Sequence, residues 1–239
     1  ILSANRNSLQ LFDMLHSMRQ FDDLTYVHSV NVALIASILG QWLKFSEKDI
    51  RILTISGLLH DIGKIMIPNE ILTKPGKLTV AEYNIMKQHV NFGYEKVKNQ
   101  NIDIRIKEAC LLHHEKCDGT GYPFGLKSDH IPAVAKIIAI ADVYDAMTSA
   151  RVYRGALCPF EVIDTMYKDA FTKFEPEYIL PFLKNVASSY INNDVRLSDG
   201  RIGKVVLINE NALSLPIVQC EDEFIDLSKT RGLTVSAIL

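Results

Sequence analysis

The segment Ile137-Ile138-Ala139-Ile140-Ala141-Asp142-Val143 constrains this chain more than any other. A run so apolar has to lie in the interior, yet it carries an aspartate. Burying an ionised carboxylate is costly unless a charged partner or a metal ion offsets it. Whatever fold the sequence adopts must therefore bring compensating groups to Asp142. Asp145 stands one helical turn further on, but only Asp142 interrupts the apolar stretch. Taken alone, Asp142 also reads as a buried partner for an arginine or lysine.

The chain has 7 histidines. Five of them, His28, His60, His89, His113 and His114, fall within or at the ends of segments whose apolar residues recur at helical spacing. His60 is followed at once by Asp61. A single helical histidine is usually a hydrogen-bonded core or surface residue, and a His-Asp pair is common by chance. The set is a different matter. Imidazole is the commonest metal ligand, and carboxylate oxygens complement it for iron, manganese or zinc. Five imidazoles with Asp61 and Asp142 exceed the needs of one ion. They fit two metal ions bridged by a carboxylate, about 3.5–4 Å apart. His16 and His130 fit no ligand position.

With 239 residues, 48% of them hydrophobic, the chain can bury the core of one large domain, with or without a small appendage. A net charge of −2 gives no footprint for a nucleic-acid polymer. A small anion is compatible, because a local site can be positive in a near-neutral protein. The 4 cysteines form no CxxC pair and read as free thiols of a reducing compartment, so a cytoplasmic location is expected. No apolar run reaches the roughly 18 residues of a membrane span, and no signal-peptide pattern is visible. The sequence opens on Ile1, which is compatible with a sensor region preceding it; a homodimer is equally compatible.

Helical patterning runs from Leu2 to about Tyr190. Val27, Val30, Leu34, Ile38 and Leu39 mark a helix over Val27–Leu43, and Ser46 caps a second over Glu47–Leu59. Gly63 suits a helix stop. Thr79 and Glu82 form a capping box. Further helices are expected over Ile104–Glu115, Pro132–Ser149, Pro159–Ala170 and Pro176–Tyr190, with a glycine-rich loop over Cys117–His130. Near Ile191 the composition changes. Val195–Leu197, Lys204–Ile208, Pro216–Cys220 and Glu223–Leu227 read as short strands, with Asp199-Gly200 as a hairpin turn. The expected fold is mainly α: a helical bundle with a small C-terminal antiparallel β-subdomain. Residues 1–20 form an N-terminal helix or linker, 21–190 the catalytic domain and 191–239 the β-subdomain.

The order His28, His60-Asp61, Asp142 resembles the HD superfamily of metal-dependent phosphohydrolases. The strings His60-Asp61-Ile62-Gly63-Lys64, Lys74-Pro75-Gly76-Lys77-Leu78-Thr79, His113-His114-Glu115, Asp118-Gly119-Thr120-Gly121-Tyr122-Pro123, Ala141-Asp142-Val143-Tyr144-Asp145-Ala146-Met147-Thr148 and Arg151-Val152-Tyr153-Arg154 resemble the HD-GYP family specifically, over about residues 20–185. The resemblance implies an HD-type helical bundle that hydrolyses cyclic di-GMP to pGpG, with further cleavage to GMP left open. It implies that His28, His60, Asp61 and Asp142 hold one metal ion. Asp61 then bridges to a second held by His89, His113 and His114. Iron and manganese are the metals it implies, and a hydroxide bridging them is the implied nucleophile. Lys64 is expected to hold a phosphate oxygen or assist the leaving oxygen, and Asp22 to pair with Lys64. Tyr122, Arg151 and Arg154 are expected at the substrate.

The sequence departs from the pattern twice. Leu24 stands where some members carry a glutamate that helps hold a third metal, so a dinuclear site is expected. Phe124 stands where a basic residue often follows the Gly-Tyr-Pro triplet. Two other readings stay open: an HD-type hydrolase of another nucleotide, and a cyclic-dinucleotide-binding signalling module with weak catalysis.

Overall fold

A computed structural model describes residues 14, 16–20, 22–149 and 157–239. The chain divides into two compact units, Ile1–Ala146 with Thr172–Phe174, and Met147–Phe171 with Glu175–Leu239.

The first unit is helical. Helix α1 (Asp23–Trp42) starts earlier than its apolar spacing suggests, because Asp22 caps it. The Asp22 carboxylate accepts hydrogen bonds from the backbone N–H groups of Leu24 at 3.2 Å and Thr25 at 3.0 Å. The face that α1 buries is not its most hydrophobic one. Val27, Leu34 and Ile38 are exposed, whereas Ser29, Val32, Ala33, Ala36, Leu39 and Gly40 are buried. The cause is close approach to α2 (Glu47–Leu59), which packs along α1. A methyl group on Gly57 of α2 would lie 2.5 Å from Ala33 Cα and 2.7 Å from Ala33 N. Helices that near each other leave room only for small side chains between them. By length and a mean hydropathy of 1.2, α1 also passes as a membrane span, which the sequence reading did not find. Its inward face packs on α2.

Beyond α2 the chain makes a 3₁₀ turn over Ile62–Met66, then α3 (Asn69–Leu72), α4 (Val80–Met86), α5 (His89–Val97) and α6 (Ile104–Leu112). The expected capping box is present at α4, with Thr79 and Glu82 bonding reciprocally. Gly63 lies inside the 3₁₀ turn, and its role there is proximity to α5. An added Cβ would sit 1.9 Å from the His89 carbonyl oxygen. Helix α7 (Ala133–Thr148) carries the apolar run and Asp142 through the interior.

In the second unit, α8 (Pro159–Asp169) and α9 (Pro176–Ser189) pack together and bury Phe160, Ile163, Met166, Ile179, Phe182 and Leu183. Both begin with proline in the first turn, where its missing N–H is no loss. Five strands follow: β1 (Asp194–Leu197), β2 (Ile202–Leu207), β3 (Ile217–Cys220), β4 (Glu223–Asp226) and β5 (Val235–Ile238). They form one antiparallel sheet in the order β4-β3-β2-β1-β5. Asp199-Gly200 makes the turn between β1 and β2, with Gly200 at φ 93°. Strand β5 was not expected from sequence; it forms by pairing with β1. Alternate residues Val195, Leu197, Val205, Val218 and Cys220 are buried on one face of the sheet. The composition change near Ile191 marks the first strand. The compact units divide earlier, at Ala146/Met147, because α8 and α9 group with the sheet.

Candidate metal centre

All seven expected donors lie in the first unit, and they converge as two groups. One comprises His28, His60 and Asp142; the other Asp61, His89, His113 and His114. The donor atoms of each lie within 4.8 Å of one another. α1 supplies His28, and the end of α2 supplies His60 and Asp61. His89 opens α5, His113 and His114 follow the last turn of α6, and α7 brings Asp142. The His28 and His60 rings meet edge to face, centroids 5.3 Å apart.

Asp61 connects the groups. Its Oδ2 lies 3.2 Å from His60 Nε2 and 3.7 Å from His28 Nε2, while its Oδ1 lies 3.3 Å from His89 Nε2 and 3.8 Å from His113 Nε2. Asp142 Oδ1 sits 3.0 Å from His28 Nε2 and 4.0 Å from His60 Nε2, and its Oδ2 is 3.9 Å from His114 Nδ1.

The proton inventory shows what these atoms are for. His60 Nδ1–H donates to the Gly57 carbonyl at 2.8 Å, His89 Nδ1–H to Met86 at 2.8 Å, and His113 Nδ1–H to Ala109 at 3.0 Å. A carbonyl can only accept, so in the neutral rings the Nε2 atoms present lone pairs. His89 Nε2 and His113 Nε2 then face each other at 3.4 Å with no proton between them. His60 Nε2 and Asp61 Oδ1 are buried without any hydrogen-bond partner. Converging lone pairs and a carboxylate oxygen that no hydrogen-bond donor reaches fit divalent cations, and the donor set of imidazole and carboxylate suits transition metals.

Electrostatics agree. Burial lowers the pKa of His89 and His114, and holds His113 well below the usual range, which favours the neutral rings that a metal would require. Burial alone would raise the Asp61 carboxyl, but the charges of His60 and Lys64 outweigh it and hold the group well below the carboxylate range. Burial works to lower His28 too. There the hydrogen bonds to Asp142 and Asp145, with the charges of Asp142 and Asp61, prevail and raise it to about 9.

Asp145, passed over in the sequence, holds His28 in place. Its Oδ2 lies 2.6 Å from His28 Nδ1, and its Oδ1 accepts from Asn31 Nδ2 at 2.9 Å. A carboxylate behind a ligating imidazole fixes the ring and raises its basicity. The signal was present as Asp145 one turn beyond Asp142, but nothing in the sequence pairs it with His28. Asp145→Ala is expected to weaken metal binding by about 10–100-fold, measured by competition with a chelator.

Lys64 reaches the centre, its Nζ 2.5 Å from Asp61 Oδ2. The expected pairing of Lys64 with Asp22 is not formed. Asp22 caps α1 because it precedes that helix, and its carboxylate is engaged by the backbone there. Tyr122 stacks on His114, centroids 4.7 Å apart at 29°. Its loop is tied down by buried Glu115, which accepts from the N–H groups of Phe124, Gly125 and Leu126 at 2.7, 3.2 and 2.9 Å. Leu24 and Phe124 are exposed, and His16 and His130 belong to neither donor group. Arg151 and Arg154 lie outside the described residues.

The HD domain model matches residues 10–178, and the chain belongs to this family, as a member of its HD-GYP type. Among curated relatives, a cyclic di-GMP phosphodiesterase of Pseudomonas aeruginosa is 36% identical over 203 residues, covering 84% of this chain and 49% of that protein. The cyclic di-GMP phosphodiesterase response regulator RpfG of Xanthomonas campestris is 41% identical over 155 residues, covering 64% of this chain and 41% of the relative. The chain thus spans about half the length of the curated relatives it matches. Among solved structures, the HD domain of the Listeria monocytogenes phosphodiesterase PgpH, in complex with cyclic di-AMP, matches at TM-score 0.57 and 18% identity, covering 74% of this chain and 95% of that one. That likeness shows the fold.

Members of this family are metal-dependent, and the paired donor groups are where metal would sit. Metal restored to chelator-treated protein is expected to raise the Tm by about 5–10 °C at a hundredfold excess over Kd. Differential scanning calorimetry checks this; an unshifted transition in protein that has taken up metal contradicts it.

Proposed function

We propose that this domain is a dinuclear metal phosphodiesterase that hydrolyses cyclic di-GMP to pGpG, acting in the cytoplasm. The observation that carries the reading is the Asp61 carboxylate, one oxygen facing His28 and His60, the other facing His89 and His113. The relatives' activity supports the substrate.

His28, His60, Asp61 and Asp142 would hold one ion, and Asp61, His89, His113 and His114 the other. Iron or manganese suits this mixture of imidazole and carboxylate. When bound, such a pair lowers the pKa of water and neutralises charge on the phosphoryl oxygens. The residues do the rest. Asp145 and the carbonyls of Gly57, Met86 and Ala109 hold the imidazoles in one tautomer and orientation. Lys64, whose ammonium lies 2.5 Å from Asp61 Oδ2 at the edge of the centre, would be the group that holds a phosphate oxygen or assists the leaving oxygen. Tyr122, held against His114 by its anchored loop, offers a wall to the nucleotide. Arg151 and Arg154 are assigned to phosphate or guanine edges by their sequence alone. Leu24 offers no donor atom, so two ions per chain are proposed.

Manganese- and iron-loaded protein incubated with cyclic di-GMP, with products followed by chromatography, tests the reading. Formation of pGpG, at a rate exceeding that on a cyclic GMP–AMP hybrid, supports it. Absence of turnover with either metal demonstrably bound overturns it.

A further inference from the structure

An aromatic residue and a cation that the centre does not use lie beside it. Tyr83 is on α4 and Lys87 is the C-cap of that helix, one turn on. Tyr83 keeps 48% of its surface exposed. Its ring meets Tyr122 edge to face, centroids 6.5 Å apart at 82°. Tyr122 in turn lies 4.7 Å from His114 and 6.4 Å from His89. The rings therefore run outward from the second donor group in an unbroken chain, ending in an open tyrosine. Lys87 Nζ stands 5.3 Å from the Tyr83 centroid. Among the described residues no carboxylate pairs with Lys87.

A surface Lys–Tyr pair contributes little to stability by itself. Its place gives it a use. A cyclic dinucleotide carries two phosphates and two purines on one ring. Only one phosphate can occupy the metal centre. The other phosphate needs a cation, and a purine facing solvent gains by stacking on an aromatic ring. The centroid distances put Tyr83 within the span of such a molecule from His114.

We propose that Tyr83 and Lys87 form an outer subsite, Tyr83 stacking a purine of a cyclic dinucleotide and Lys87 neutralising the phosphate that is not at the metal centre. The assignment rests on the phosphodiesterase reading above. It makes Tyr83 and Lys87 determinants of substrate affinity and leaves the bond-breaking step to the centre.

The test compares wild type with Tyr83→Ala, Tyr83→Phe and Lys87→Met, all manganese-loaded, on cyclic di-GMP and on bis(p-nitrophenyl) phosphate, which has neither purine nor second phosphate. Tyr83→Ala should raise KM for cyclic di-GMP by on the order of tenfold with kcat little changed, and Tyr83→Phe should keep the wild-type KM. Lys87→Met should raise KM several-fold and flatten its dependence on ionic strength. Turnover of bis(p-nitrophenyl) phosphate and metal content should stay at wild-type levels. Unchanged KM in both Tyr83→Ala and Lys87→Met overturns the subsite while the phosphodiesterase reading stands. So does an equal loss on both substrates. Wild type that hydrolyses bis(p-nitrophenyl) phosphate but neither binds nor cleaves cyclic di-GMP overturns the substrate reading and the subsite with it.

Discussion

Asp61→Asn is expected to lower turnover of cyclic di-GMP by about a thousandfold or more, a loss of about 4 kcal/mol in transition-state stabilisation. The carboxylate has one oxygen toward each donor group. An asparagine of the same shape keeps one acceptor and turns the other into an N–H donor, aimed at an imidazole lone pair. One of the groups then loses its shared anion. Metal analysis should find no more than one ion per chain. The fold should survive, because the substitution removes a buried charge and not volume: Asp61 is 1% exposed and fully enclosed. Circular dichroism and metal analysis on the same sample separate these effects. A variant that keeps two ions and wild-type turnover would show that Asp61 does not bridge.

Gly63→Ala carries the largest expected cost in stability. Its Cβ would stand 1.9 Å from the His89 carbonyl oxygen and 2.4 Å from Gly93 N. Both are backbone atoms of α5, so no rotamer change relieves the clash and the helix itself must move. Overpacking of this kind is expected to cost about 3 kcal/mol, lowering the Tm by on the order of 10 °C. The displaced element carries His89 at its first position, so metal affinity should fall as well. Thermal denaturation of the metal-free variant isolates the packing part. An unshifted Tm would contradict the close contact.

Both cases bear on what a reader of the sequence can see. The seven candidate donors could be picked out because metal chemistry accepts few residue types, and because Asp142 in an apolar run calls for a charged partner or a metal. Helix boundaries were readable wherever a local signal sets them, as with Ser46, Thr79-Glu82, Pro159 and Pro176. What failed to show was whatever depends on a partner distant in the chain. The apolar spacing of α1 marked Val27, Leu34 and Ile38, yet the proximity of α2 buries its small residues instead. Gly63 reads as a helix stop; its constraint comes from α5. Asp145 acts through His28, 117 residues away. Asp22 was read through its motif, but its nearness to the start of α1 makes it a cap. Strand β5 has only four residues and depends on β1 for its partner.

Gly57 has a consequence beyond packing. The helices bearing His28 and His60 rest backbone against backbone at this residue, and its carbonyl also anchors the His60 ring. The gap between the two imidazoles is therefore gauged by a hydrogen atom. A single methyl group there is a wedge, prising apart the jaws between which the first of the proposed ions would sit. The aperture of this centre is thus written into a residue that has no side chain and coordinates nothing.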